Sequence, residues 1–211
     1  MNIYSFHAIM ETDKIISVSE EVVKLMNLRE RIIGAATKLF LKSGQQFTMQ
    51  EVAAALNISK KTIYTVYSSK ELLLLDMIDT LFDDIHRKKA ELAAAPKPVE
   101  ERIRSVIVAL PEQYAAIDFR VLNDLDEKCP AAAQKVREHL KTGWEPTIAL
   151  LEEGMAAGRI RRVPIPILQQ MIISSIECFL SDNKNADSYA NTLEAMIDII
   201  MNGIRRRENE I

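Results

Sequence analysis

Between residues 48 and 70 the chain gathers side chains suited to a polyanion: Thr48, Ser59, Lys60, Lys61, Thr62, Tyr64, Thr65 and Lys70. Ammonium groups and hydroxyls are what proteins use to hold phosphate oxygens and to reach base edges. The charge distribution points the same way. Residues 28 to 70 hold seven basic side chains (Arg29, Arg31, Lys38, Lys42, Lys60, Lys61 and Lys70) against Glu30 and Glu51, a net of +5. The remainder then carries −8 in a chain of net charge −3. A basic module joined to an acidic body fits one region directed at nucleic acid. Other chemistries lack their constellation. His7, His86 and His139 are scattered without metal-ligand spacing and read as surface or satisfied core residues, so no metal site and no cofactor is expected. Asp83-Asp84, Glu100-Glu101 and Glu152-Glu153 are adjacent pairs, which turn to different sides of a helix and read as solvated charge. There is no Gly-rich phosphate loop and no nucleophile elbow, so catalysis is not expected.

A helix that enters a DNA groove must be held at a fixed angle by a partner helix and a tight turn. The sequence supplies both. Thr48-Met49-Gln50-Glu51 reads as a reciprocal capping box opening a short helix. Ser59 caps a second short helix, expected to run to about Tyr67, and Ser68-Ser69-Lys70-Glu71 opens a long one reaching about Ala95. Val52, Ala53 and Leu56, then Ile58, then Ile63 and Tyr67 form the apolar seam between the two short helices, with Tyr67 read as packing. Asn57 falls where the turn calls for a positive φ. Upstream, Ile32, Ile33, Ala36, Leu39 and Phe40 mark a supporting helix that stops at Ser43-Gly44.

These residues carry a family resemblance. Phe40-Leu41-Lys42-Ser43-Gly44, Phe47-Thr48, Val52-Ala53, Leu56-Asn57-Ile58-Ser59, Thr62-Ile63-Tyr64 and Tyr67-Ser68-Ser69-Lys70-Glu71-Leu72-Leu73 resemble, in order and spacing, the N-terminal signature of the TetR family of regulators. The resemblance spans roughly residues 27 to 75. It implies phosphate contacts from Thr48, Thr62, Tyr64 and Lys70, with Lys60, Lys61 and Thr65 nearest the groove. Lys61 and Asn57 stand where the family often has glycine, and Val66 where a polar or aromatic residue is common, so the reading positions are this chain's own.

The remainder reads as helical. Pro96 and Pro98 end the long helix, and helices follow over Val99–Ala109, Tyr114–Leu125 (Ile117, Val121), Pro130–Met155, Pro164–Leu180 and Asp187–Arg206. Ser181–Asn185 reads as a polar turn. A helix-turn-helix of this size binds as a dimer, and the last two helices offer apolar stripes: Ile167, Met171, Ile172, Ser175 and Phe179, then Leu193, Met196, Ile197, Ile200 and Ile204. The resemblance implies a four-helix bundle with a symmetry mate. It also implies an effector cavity among the middle helices, for which Phe82, Tyr114, Phe119, Trp144, Met155, Met171 and Cys178 are the candidates.

The fold class is therefore all-α, an N-terminal three-helix DNA-binding domain followed by a helical ligand-binding and dimerisation domain. The expected division is an arm or short helix over 1–26, where Ser17–Glu20 resembles a capping box, then the helix-turn-helix domain over 27–72 and the helical domain over 73–211. Expected partners are double-stranded DNA, a second copy of the chain and a small-molecule effector. No apolar run approaches the roughly 20 residues of a membrane helix, and residues 1–13 lack the pattern of a secretory signal. Cys129 and Cys178 form no CxxC pair and fit a reducing, cytoplasmic setting.

Overall fold

The structure, a computed structural model, describes residues 3–114, 119–122, 125–181 and 189–205; side chains are described for 23–114, 119, 122, 125, 127–181 and 189–205. The expected all-α architecture holds: among the described residues there are ten α-helices, and the only extended pairing is a single bridge between Ile160 and Arg205. The chain divides into two compact units, Met1–Leu73 and Leu74–Ile211.

In the first unit, α1 (Ile3–Ser43) is one continuous helix. No helix begins at Ser17–Glu20, and the side chains of that expected capping box lie outside the described residues. The apolar stripe of α1 is buried at Ile32, Ile33, Ala36 and Phe40. Gly44, at φ 57, turns the chain out of α1, and Phe47 folds back edge-on to Phe40 at a centroid distance of 6.4 Å. Two short helices follow, α2 (Met49–Leu56) and α3 (Lys60–Tyr64). Then α4 (Lys70–Ala93) begins in this unit and continues into the next.

The second unit continues with α5 (Val99–Ile107), α6 (Leu125–Lys128), α7 (Pro130–Leu140), α8 (Glu145–Ala156), α9 (Ile165–Ser181) and α10 (Tyr189–Ile204). Two expectations are corrected. Where a helix over Tyr114–Leu125 was expected, the described residues form 3₁₀ turns at Glu112–Tyr114 and Phe119–Leu122, and Leu125 opens α6; residues 115–118, 123 and 124 and the side chain of Val121 lie outside the described residues. The single helix over Pro130–Met155 is two, α7 and α8, broken at Lys141–Trp144. There Gly143 adopts φ 66 and Pro146 occupies the first turn of α8, where its missing N–H costs nothing. The Ser181–Asn185 turn, apart from Ser181, and the ends of the Asp187–Arg206 helix lie outside the described residues.

Val99, Ile103, Val106, Leu150, Leu151, Ile160, Leu168, Ile172, Ile173, Met196, Ile197, Met201 and Ile204 pack as one core. Each large aliphatic side chain removed from water there contributes about 1.5–3 kcal/mol. Arginines lace the outside of this core. Arg102 pairs with Glu153, and Arg104 with Glu194 and Asp198. Arg161 donates from its backbone N–H to the Ile204 carbonyl at 2.8 Å and from Nε to the Gly203 carbonyl at 2.8 Å, satisfying acceptors at the end of α10.

Candidate functional site

The helix-turn-helix is built from three local devices. At the start of α2 the Glu51 N–H donates to Thr48 Oγ1 at 3.2 Å, while the Thr48 N–H donates to Glu51 Oε2 at 2.7 Å. These two bonds satisfy donors at both ends of the first turn. At its end Asn57 takes the left-handed conformation, φ 53 and ψ 43, and the Ile58 N–H reaches the Ala53 carbonyl at 3.0 Å. At the start of α3 the Thr62 N–H donates to Ser59 Oγ at 3.0 Å. The seam closes as read from the sequence: Val52, Ala53 and Ile63 are fully buried and Tyr67 nearly so. α3 is shorter than expected and ends at Tyr64, where Thr65 caps it by donating its hydroxyl to the Thr62 carbonyl at 2.7 Å.

With one side of α3 held by that seam, the other faces water. Thr48, Ser59, Lys60, Lys61, Tyr64 and Thr65 are exposed. Lys60 Nζ lies 5.7 Å from the Tyr64 ring centroid, a cation over an aromatic face. Thr62 is half-buried, its hydroxyl paired with Ser59 Oγ at 2.8 Å. Lys70 departs from the expectation of a direct phosphate contact. Its half-buried ammonium donates to the Gln45 carbonyl and sits 4.4 Å from the Phe47 ring centroid, tying the start of α4 to the α1–α2 turn.

A second site lies within the second unit, a cavity of about 220 Å³ whose wall includes Phe82, His86 and Lys89 of α4, Val136, His139 and Leu140 of α7, and Trp144, Ile172, Ile176 and Tyr189. Of the candidates named from sequence, Phe82, Phe119 and Trp144 line it. The others do not. Tyr114 is buried apart from it, its hydroxyl donating to Asp84 Oδ2 at 2.8 Å; burial and that carboxylate push the phenol up to about 12. Met155 is half-buried and its sulfur accepts the Val163 N–H at 3.4 Å, while Met171 and Cys178 face solvent.

The polar side chains of the wall went unread in the sequence, although a signal was present. Phe82, His86 and Lys89 fall at i, i+4 and i+7, one face of α4, and Val136, His139 and Leu140 share a face of α7. Asp79 receives Lys135 Nζ at 2.7 Å and faces His139 Nε2 at 2.7 Å, and His139 stacks on Phe82 with centroids 4.6 Å apart. Burial raises the Asp79 carboxyl, but the hydrogen bonds from Lys135 and His139 outweigh it, and the group ends below its ordinary value. Gly143 admits this arrangement, since a Cβ there would lie 2.3 Å from His86 Nε2. Burial, then Lys89 and His139, push the His86 imidazole down, and burial pushes the Lys89 ammonium down against the opposing pull of Glu145.

The stripes assigned to dimerisation are corrected in part. Ile172, Met196, Ile197 and Ile204 are buried in the chain's own core, and Ser175, Phe179 and Ile200 are half-buried. The large apolar side chains exposed on α9 and α10 are Ile167, Met171 and Ile199. Hydrophobic periodicity locates a stripe without saying whether its partner is the same chain or another.

A basic, exposed short helix held by a capped partner and a left-handed turn defines a DNA-binding regulator of the helix-turn-helix class. Residues 32–77 match the family model described as bacterial regulatory proteins, tetR family. The HTH-type transcriptional regulator YvaF of Bacillus subtilis is 27% identical over 183 residues, 85% of this chain and 96% of that protein. Among solved structures, the fatty acid degradation regulator FadR of Bacillus halodurans superposes with a TM-score of 0.65 at 20% identity, covering 85% of this chain and 97% of that one. FadR of Bacillus subtilis, determined in complex with stearoyl-CoA, superposes with a TM-score of 0.62 at 20% identity, covering 83% of this chain and 99% of that one. The chain is a DNA-binding transcriptional regulator, similar over residues 32–77 to the tetR family. No helix among the described residues is long and apolar enough to cross a membrane.

Proposed function

We propose that the chain is an effector-responsive repressor that binds a palindromic operator as a homodimer in the cytoplasm. The observation that carries this reading is α4. The helix that places Phe82, His86 and Lys89 in the cavity wall begins at Lys70, whose ammonium is fixed on the α1–α2 turn. A ligand that reshapes the wall therefore acts on the element that leads out of the DNA-binding unit, and binding free energy at one site biases the other. The complex of Bacillus subtilis FadR with stearoyl-CoA supports a ligand-responsive reading of this fold.

On DNA, Lys60, Lys61 and Thr65 read or border the groove, and Thr48, Ser59, Thr62 and Tyr64 meet the phosphates. Lys70 supports them indirectly by holding the turn. The dimer forms through the faces left exposed: Ile167, Met171, Ser174 and Cys178 on α9 at i, i+4, i+7 and i+11, and Ala195, Ile199 and Gly203 on α10 at i, i+4 and i+8. Ala195 and Gly203 allow close helix approach, and two such pairs make a four-helix bundle with two-fold symmetry. Half-buried Ser175, Phe179 and Ile200 border the contact.

Sequencing the DNA that the protein retains in cells tests the reading. The expected result is a two-fold symmetric site whose half-sites are centred about 34–36 Å apart, one helical turn or a multiple of it. Enrichment of asymmetric sites alone would rule out the dimeric operator.

A further inference from the structure

We propose that the cavity binds a small apolar carboxylate, with Lys89 as the counter-ion of its carboxylate and Trp144 beneath the ion pair. The inference rests on the effector reading above and names the chemistry of that site. Most of the wall is hydrocarbon, from Leu81, Ile85, Ile107, Val136 and Ile172 among others. Into this wall α4 places an ammonium. Lys89 Nζ lies 5.1 Å from the Trp144 ring centroid, and no described residue forms a hydrogen bond or ion pair with it. This half-buried cation keeps its hydrogen-bond donors for water or an anion, and a ligand carboxylate in the cavity can take that place.

The charged groups around Lys89 leave this role open to a ligand. Glu145 acts on it only through space, and His86 is an additional basic group beside it. Glu194, also in the wall, is committed to Arg104. The Tyr189 phenol, held protonated by burial, adds a neutral donor to the wall. Size narrows the ligand further. At about 220 Å³ the cavity falls below the roughly 300–1,000 Å³ typical of drug-sized ligands, so it suits a short acid and not a long acyl thioester.

Trp144 is the chain's single tryptophan and is part of the wall, so its fluorescence reports occupancy directly. We would titrate the full chain with octanoate, 1-octanol and octylamine, which share an apolar body and differ in the head. Octanoate should bind at least about tenfold more tightly than octanol, the range of a hydrogen bond to a charged group, and octylamine more weakly than either. Lys89→Met should abolish the preference while still binding octanol, which shows the cavity intact, and Lys89→Arg should restore it. Equal affinity for octanoate and octanol, no octanoate binding at millimolar concentration, or an unchanged preference in Lys89→Met would overturn the proposal. Operator titrations separate it from the effector reading. Lys89-dependent octanoate binding that leaves operator affinity unchanged upholds the cavity chemistry and removes the switch. Release of operator by octanol as readily as by octanoate upholds the switch and removes the carboxylate.

Discussion

At the scale of single residues, two backbone positions carry the geometry of the two sites. Asn57 holds the left-handed turn that sets α3 against α2. Asn57→Gly should leave unfolding free energy nearly unchanged, since glycine enters that region freely, whereas the β-branched side chain of Asn57→Val should cost about 1–2 kcal/mol in urea unfolding. Gly143 combines a positive φ with a steric demand, because any Cβ meets the His86 ring. Gly143→Ala should destabilise by about 1–3 kcal/mol. In a His86→Ala background the clash is gone and only the conformational part, roughly 1 kcal/mol, should remain; a thermal-unfolding double-mutant cycle checks the difference. Asn57 was legible because one residue type and one turn explained each other. The contact between Gly143 and His86 was not, because it joins residues 57 positions apart in the chain. Lys70 was legible as a basic residue in the right segment, but the sequence does not show that the Gln45 carbonyl and the Phe47 ring hold its ammonium.

At the scale of elements, capping and periodicity served well where they act locally. The box at Thr48–Glu51 and the Ser59 cap both formed as read, because each needs only residues within one turn. The break between α7 and α8 was hidden by apolar residues at helical spacing on both sides, although Gly143 and Pro146 mark it. The faces of α9 and α10 show the stronger limit. Both helices bury one apolar side in their own chain and leave a second, weaker one exposed, and a stripe read from sequence picks the stronger. This separates two substitutions on α10. Ile197, fully buried, should lose about 2–5 kcal/mol of stability on replacement by alanine. Ile199, 75% exposed, should lose almost none on replacement by lysine, yet Ile199→Lys should shift the protein from dimer to monomer in sedimentation velocity. A dimer that survives Ile199→Lys at micromolar concentration would place the interface elsewhere.

At the scale of the whole molecule, the chain joins a basic reading unit to an acidic helical unit through one helix, α4. The charge asymmetry, +5 in residues 28–70 within a chain of −3, was legible from composition because it is a sum over many residues. The cavity was legible only as a class of feature, since its wall draws on residues from α4 to α10 that meet only in three dimensions. If α3 grips DNA through its exposed face, binding must depend on salt through Lys60 and Lys61. Affinity for the operator should be measured across a salt series for the wild type and for Lys60→Ala/Lys61→Ala. Each phosphate contact removed should lower the slope of log affinity against log salt by about 0.9. The double variant should show a shallower slope and weaker binding, with unfolding unchanged. An unchanged slope and affinity would contradict a grip through α3.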